Sequence, residues 1–358
     1  MMSRYQGRKL SFDIFGASHA ESIGVVIEGI PAGIRIDEAQ LMAFMARRAA
    51  RKAAYSTTRR EPDKPVFTSG VKDGVTTGET LTAVIYNTDT RSRDYSQLAI
   101  TPRPGHADYP AMVKYGDKYD YRGGGPFSGR MTAPWCILGA IAKSALEQQG
   151  IIIGSHILSV GNIGEKRFDA VHIDAATLQQ LQQLDFATLD PAKGAAMLAA
   201  IEAARADADS LGGVVEAAAV GLPCGLGGEL FDGLESRLAR LIFGIPAVKG
   251  LEIGLGFEAA ELKGSQNNDP FYYDGDVVKT RTNNHGGLLG GITSGMPLIV
   301  RTAFKPTPSI GKPQQTVDVV KKENAGLIIH GRHDACIVPR TLPIVESCLA
   351  IAIWDELL

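Results

Sequence analysis

The sequence predicts an α+β fold in one domain spanning residues 1–358. Three observations lead there. Seven short apolar segments read as strands and four longer stretches read as helices. The two kinds do not alternate regularly, which fits a doubly wound parallel sheet poorly. No Pro/Ser-rich linker and no internal repeat divides the 358 residues.

In chain order, Asp37 and Gln40 have the spacing of a helix N-cap with its reciprocal side chain. An amphipathic run follows over 41–54, basic toward its end at Arg47, Arg48, Arg51 and Lys52. A second helix begins near Pro134, a favoured early helical residue, and stops at Gly150. The Ala-rich stretch 193–209 is helical in character, and a last helix occupies 342–357 after Pro339. The strand segments are 23–28, 65–71, 81–86, 151–160, 213–220, 251–256 and 296–303. Residues 168–208 have a more mixed texture and read as an excursion from the core.

Composition narrows the function. With 44% hydrophobic and 21% charged residues and a mean hydropathy of -0.01, the chain is of globular type and long enough for a sizeable core. A balance of 37 Lys+Arg against 39 Asp+Glu argues against a nucleic-acid partner. No run approaches the roughly 18 apolar residues of a membrane span. The opening segment MMSRYQGRKLSFDIFG lacks the apolar centre of a signal peptide. A cytoplasmic protein with no membrane partner is expected. Cys136, Cys224, Cys336 and Cys348 form no C-x-x-C pair and are expected as buried small hydrophobes. Gly makes up 41 of the 358 residues, about 11% against a usual value of roughly 7%. The excess is clustered, which points to loops that turn sharply or approach a ligand.

Five clusters could carry chemistry. His19 sits in a small-residue loop just before a strand, where a lone histidine is often incidental. Arg103-Pro-Gly-His-Ala-Asp108 offers a phosphate fork, a proton carrier and an orienting carboxylate, or else a polar turn bonded to itself. Arg122-Gly-Gly-Gly-Pro-Phe-Ser-Gly-Arg130 lets backbone N–H groups and guanidinium forks converge on an anion. It is not a P-loop, since no Gly-Lys-Ser/Thr follows. The glycine pairs of 283–295, with Lys305-Pro-Thr-Pro-Ser309, suit a phosphate and a heterocycle, or a pair of tight turns without ligand. His330-Gly-Arg-His-Asp334 is a dense polar cluster; it has no third ligand at metal-site spacing, so no metal is expected. The G-x-G-x-x-A pattern at 254–259 is followed by ELKGSQNNDPFYYDGD, which does not read as the helix a dinucleotide site needs.

Taken in order, these segments resemble the chorismate synthase family from near Phe15 to the final helix. The landmarks are SHxxSIG, RREPD, SGVxxGVTTG, RPGHADY, DYRGGG, SLGG, PAVKGLEIG, GSQNND, GGLLGGITSG, KPTPSI and GRHDAC. RPGHAD together with GRHD is highly specific, and FSGR, PAVKG and KPTPSI resemble the short, clostridial-type branch.

The resemblance implies a helical layer between antiparallel β-sheets and a homotetramer. It implies 1,4-anti elimination of phosphate from 5-enolpyruvylshikimate 3-phosphate, a small-molecule substrate, on reduced FMN (FMNH2) without net redox change. By the same resemblance His106 serves the reduced flavin ring, His19 the leaving phosphate, and Asp334 the flavin N5. Arg48, Arg130 and Arg332 hold the substrate's anionic groups. Pro126, Phe127, Ser128, Ala247, Gly290, Lys305, Pro306, Thr307, Pro308, Ser309 and Arg332 line the flavin site. Some family members also reduce flavin with NADPH. No separate nicotinamide motif is present, so an external NAD(P)H-dependent or other source of reduction is expected.

The sequence departs from the family at five places. Ala17 and Ala20 replace a glutamate and a glycine, Pro126 replaces a polar residue, and Ala335 replaces a proline. Ala50, with Arg51, stands where Pro-Gly usually ends the basic helix, and the helix is expected to lengthen. The alternative is a non-catalytic paralogue that binds flavin or polyanions.

Overall fold

The computed structural model describes residues 2–50, 56, 61–88, 97–329 and 334–358. Eight α-helices are present among them: α1 (Glu38–Arg48), α2 (Asp108–Tyr115), α3 (Ala133–Glu147), α4 (Ala175–Leu181), α5 (Pro191–Ala206), α6 (Leu234–Gly244), α7 (Gly264–Asn267) and α8 (Val338–Leu357). One five-stranded antiparallel sheet has the order Met2–Gln6, Ser11–Gly16, Ser22–Glu28, Leu81–Tyr86, Val66–Ser69. The other runs Val248–Ile253, Leu298–Phe304, Gly213–Val220, Ile152–Val160, Ile163–Gly164. α3 packs on the first sheet, α8 on the second, and the two helices on each other. The helical layer therefore lies between the sheets.

α8 explains its own position. It is apolar on nearly every side, so it is stable only where protein surrounds it. Its polar residues are answered individually. Asp355 is fully buried, and its carboxylate accepts from the backbone N–H groups of Arg8, Lys9 and Leu10 at 2.6, 2.7 and 2.6 Å. The end of α8 thus holds the turn between the first two strands. Glu346, also fully buried, accepts from Arg47 at 2.7 Å through both oxygens, from Lys143 at 3.2 Å and from Ser155 at 2.6 Å. That cluster joins α1, α3 and the second sheet to the central helix.

α3 and α8 approach closely at Gly139, where an added Cβ would collide with the Ser347 side chain and come within 2.8 Å of its Cα. Gly139→Val should cost about 1–3 kcal/mol by overpacking. Urea unfolding checks this, and an unchanged midpoint would remove the close-packing account.

Several expectations are corrected. α1 ends at Arg48, and Ala49 is extended at φ -60 and ψ 156 with its N–H on Met45 O. Losing Pro-Gly does not lengthen the helix over the described residues. Residues 168–208 are no excursion: Phe168, Leu178, Leu181, Met197 and Ile201 are buried in the main core. Cys136, Cys336 and Cys348 are buried, and burial pushes the first two thiols up to about 12, but Cys224 is exposed. The strand expected at 251–256 is Val248–Ile253; Gly254 leaves it at φ +58.

Candidate active site

A cavity of about 1170 Å³ opens where the arginine-bearing end of α1, the glycine loop before α3 and the start of α8 meet the edge of the second sheet. It exceeds the roughly 300–1,000 Å³ usual for one small ligand. One end is built on RPGHAD. Pro104 and Gly105, at φ +71, turn the chain so that His106 N–H reaches Arg103 O at 3.3 Å. Asp108, the first residue of α2, is fully buried and accepts from Arg103 Nε at 2.7 Å, Arg103 Nη2 at 2.9 Å and Tyr119 Oη at 2.9 Å. The His106 Nδ1 lies 2.6 Å from the same carboxylate. Burial alone would raise the Asp108 pKa, but the bonds and charges of Arg103 and His106 outweigh it and hold the carboxyl well below the carboxylate range. Asp108 is therefore an anion that fixes the His106 ring. Arg103 also donates to Ser309 Oγ at 3.1 Å. Of the two readings of this segment the structure has the turn bonded to itself, and Arg103 is a bracket between the histidine and the KPTPS segment, not an open phosphate fork.

The other end holds three arginines among the described residues. Arg48 pairs with Asp63 at 3.2 Å; Arg130 pairs with Asp63 and donates to Asn87 Oδ1 at 3.0 Å. Arg340 pairs with Asp334 at 2.6 Å and donates from Nε to Arg48 O at 3.0 Å. Burial presses the Arg48 guanidinium down to about 10, with Arg340 and Arg130 adding like charge and Asp63 opposing them. Asp63 takes a left-handed backbone at φ +49, uncommon outside glycine but tolerated by aspartate. An anion bound here would relieve the mutual repulsion of the arginines.

The glycine loop joins the two ends. Gly123, Gly124 and Gly125 all have positive φ. A Cβ on Gly123 would strike the His19 ring, and one on Gly124 would lie 3.0 Å from His106 Nε2. Both histidines thus touch one stretch of backbone whose conformation and close contacts favour glycine. Gly124→Ala should lower turnover about tenfold or more through the strained φ and the displaced His106 ring. Steady-state kinetics check it; an unchanged rate would show that the loop does not hold the histidine.

Of the residues expected at the site, Arg48, His106, Pro126, Phe127, Ser128, Arg130, Ala247, Lys305, Thr307, Pro308, Ser309 and Asp334 line the cavity. Pro306 and Gly290 do not; Gly290 sits at an exposed hairpin turn. His19 is reached through Gly123 and its neighbour Ser18, which does line the wall. Arg332 lies outside the described residues. Sequence reading gave no role to Asp63, Asn87, Lys249 or Arg340. Burial and the neighbouring Lys249 charge press the Lys305 amine below its usual value, an arrangement a bound anion would relieve. Lys249 lies in the PAVKG segment, two residues past Ala247 at φ +75, and its place in that landmark was the one signal the sequence offered.

The family model described as chorismate synthase matches residues 10–358. The chain is 46% identical over 353 residues to a chorismate synthase of Thermococcus gammatolerans, covering 99% of this chain and 97% of that one. It is 44% identical over 354 residues to one from Dehalococcoides mccartyi, covering 99% and 96%. A solved structure titled as a crystal structure of chorismate synthase superposes with a TM-score of 0.76 at 30% identity, covering 98% of this chain and 92% of that one.

Proposed function

The chain belongs to the chorismate synthase family, and from that membership we propose how its cavity performs the family's reaction. The enzyme is a carbon–oxygen lyase of aromatic amino acid biosynthesis. It eliminates phosphate from 5-enolpyruvylshikimate 3-phosphate, with a proton from C6, to give chorismate.

The cofactor in this reading is reduced FMN. Phe127, Pro126 and Pro308 offer an apolar wall for a ring system, while Lys305, Thr307 and Ser309 offer donors for a phosphate. Pro306, Gly290 and Arg332 join this proposal on the resemblance alone. When bound, reduced FMN supplies electron density to the C–O bond that breaks and a site for the departing hydrogen. The chain's own residues do the rest. Arg48 and Arg130 hold the substrate's anionic groups; Asp63 fixes both guanidinium planes. His106, oriented by Asp108, holds a proton toward the cofactor ring. His19 holds one toward the leaving phosphate, and Asp334 lies on the cavity wall to assist removal of the C6 proton.

The observation that carries this reading is one cavity with a cationic end and a histidine end joined by a glycine loop. Each ligand would supply part of the other's binding surface. Thermal stabilisation by FMN and substrate together should therefore exceed the sum of the separate shifts. Strictly additive melting shifts would mean independent sites.

Reduction of the flavin is expected from an external NAD(P)H-dependent or other source. A homotetramer in the cytoplasm accords with the family. Leu230 and Phe231, 84% and 92% exposed, are candidates for burial between subunits. No helix among the described residues is long and apolar enough to cross a membrane.

A further inference from the structure

We propose that Arg340 is a positioning residue that couples the carboxylate of Asp334 to the substrate-binding end of α1. The proposal rests on the reading just given for Asp334 and Arg48. Arg340 is the third residue of α8, the most deeply buried helix of the fold, so its backbone is fixed by the core. Its guanidinium makes two contacts that belong to different parts of the site. Nη1 donates to Asp334 Oδ2 at 2.6 Å, and Nε donates to the carbonyl of Arg48 at 3.0 Å. That carbonyl lies at the C-terminus of α1, where the last four C=O groups of a helix have no partner within the helix and where cations are favoured. One planar fork therefore sets both the direction of a proposed catalytic carboxylate and the end of the helix that presents Arg48. It also supplies positive charge beside Asp334, on a wall that must accept anionic ligands.

Three consequences distinguish this from a purely structural role. First, a lysine keeps the charge but not the two-pronged geometry. Turnover should therefore fall in the order wild type, Arg340→Lys, Arg340→Met, with the Met variant down at least tenfold. Second, if Arg340 acts through Asp334, their effects on kcat are coupled. The double variant Arg340→Met/Asp334→Asn should be no slower than the slower of the two singles. Third, Arg340→Met leaves Asp334 with one cationic partner fewer, so the carboxylate opposes anion binding. The affinity for FMN, read by quenching of its fluorescence, should fall several-fold in Arg340→Met and recover in the double variant.

The experiment is this three-variant set, with Asp334→Asn as the fourth protein, assayed anaerobically for turnover and separately for FMN binding. Coupled kcat losses with binding restored in the double variant support the proposal. Losses that multiply, or FMN binding no better in the double than in Arg340→Met, overturn it. Unimpaired turnover in Asp334→Asn would instead overturn the role given to Asp334, while leaving the binding arm to judge the contact with Arg340.

Discussion

His106→Ala should lower turnover by roughly two to four orders of magnitude, the scale of a positioned acid–base group. The geometry makes this a clean test. The ring is held by Asp108 at 2.6 Å, and its other nitrogen faces the backbone of Gly124. Removing the imidazole does not orphan Asp108, which keeps its three bonds from Arg103 and the one from Tyr119. The turn should survive, and the urea midpoint should stay close to that of the parent. A variant that folds normally and turns over at the parent rate would remove His106 from the mechanism. Asp108→Asn gives a second view: it keeps the size of the side chain but loses the charge that fixes the ring, and should slow turnover as well.

The largest expected loss of stability comes from Glu346→Ala. The carboxylate is fully buried and answers two cations, Arg47 and Lys143. Removing it leaves both charges in the helical layer without their partner, which should cost about 3–5 kcal/mol. The pH dependence has a definite sign. Burial would raise the Glu346 pKa, but Arg47 and Lys143 outweigh it and bring it down to about 2, below the ordinary glutamate value of 4.5. A depressed folded-state value means the contribution is complete above about 4.5 and is lost as the pH falls toward 2. Urea unfolding at neutral and acid pH should therefore show the parent losing stability across that window. Glu346→Gln, which has no proton to take up there, should lack that part of the slope. Parallel curves for the two proteins would show that the cluster does not carry the linkage.

How much of this was legible in the sequence depends on where each signal lies. Strands 81–86 and 213–220 were found to the residue, because runs such as Leu-Thr-Ala-Val-Ile-Tyr carry their own pattern. The last helix was legible as an apolar run, although it begins at Val338 rather than 342, since Pro339 is tolerated in the first turn. Strands such as Glu323–Leu327 were not legible: Glu-Asn-Ala-Gly-Leu has almost no β-forming residues and is extended only because Gln314–Asp318 pairs with it. The first two strands, Met2–Gln6 and Ser11–Gly16, were missed too, as their register depends on a clamp from Asp355 some 345 residues away.

The site divides in the same way. Histidines, clustered glycines and arginines announce themselves by type and spacing. Their long-range partners do not. Asp63 reaches Arg130 across 67 residues of sequence, and Arg340 reaches Arg48 across 292. Nothing local marks either as part of a site, although Asp63 lies inside the RREPD landmark. A turn bonded to itself was one of two readings open for RPGHAD, but only the fold brings Ser309 to Arg103.

The most direct test of the central claim is anaerobic turnover of the unaltered protein with photoreduced FMN and 5-enolpyruvylshikimate 3-phosphate. Chorismate and inorganic phosphate should appear in equal amounts over many cycles, with the flavin still reduced at the end. Tight binding of both ligands without release of phosphate would contradict the account and leave a flavin- and polyanion-binding protein that keeps the fold of the family but not its reaction.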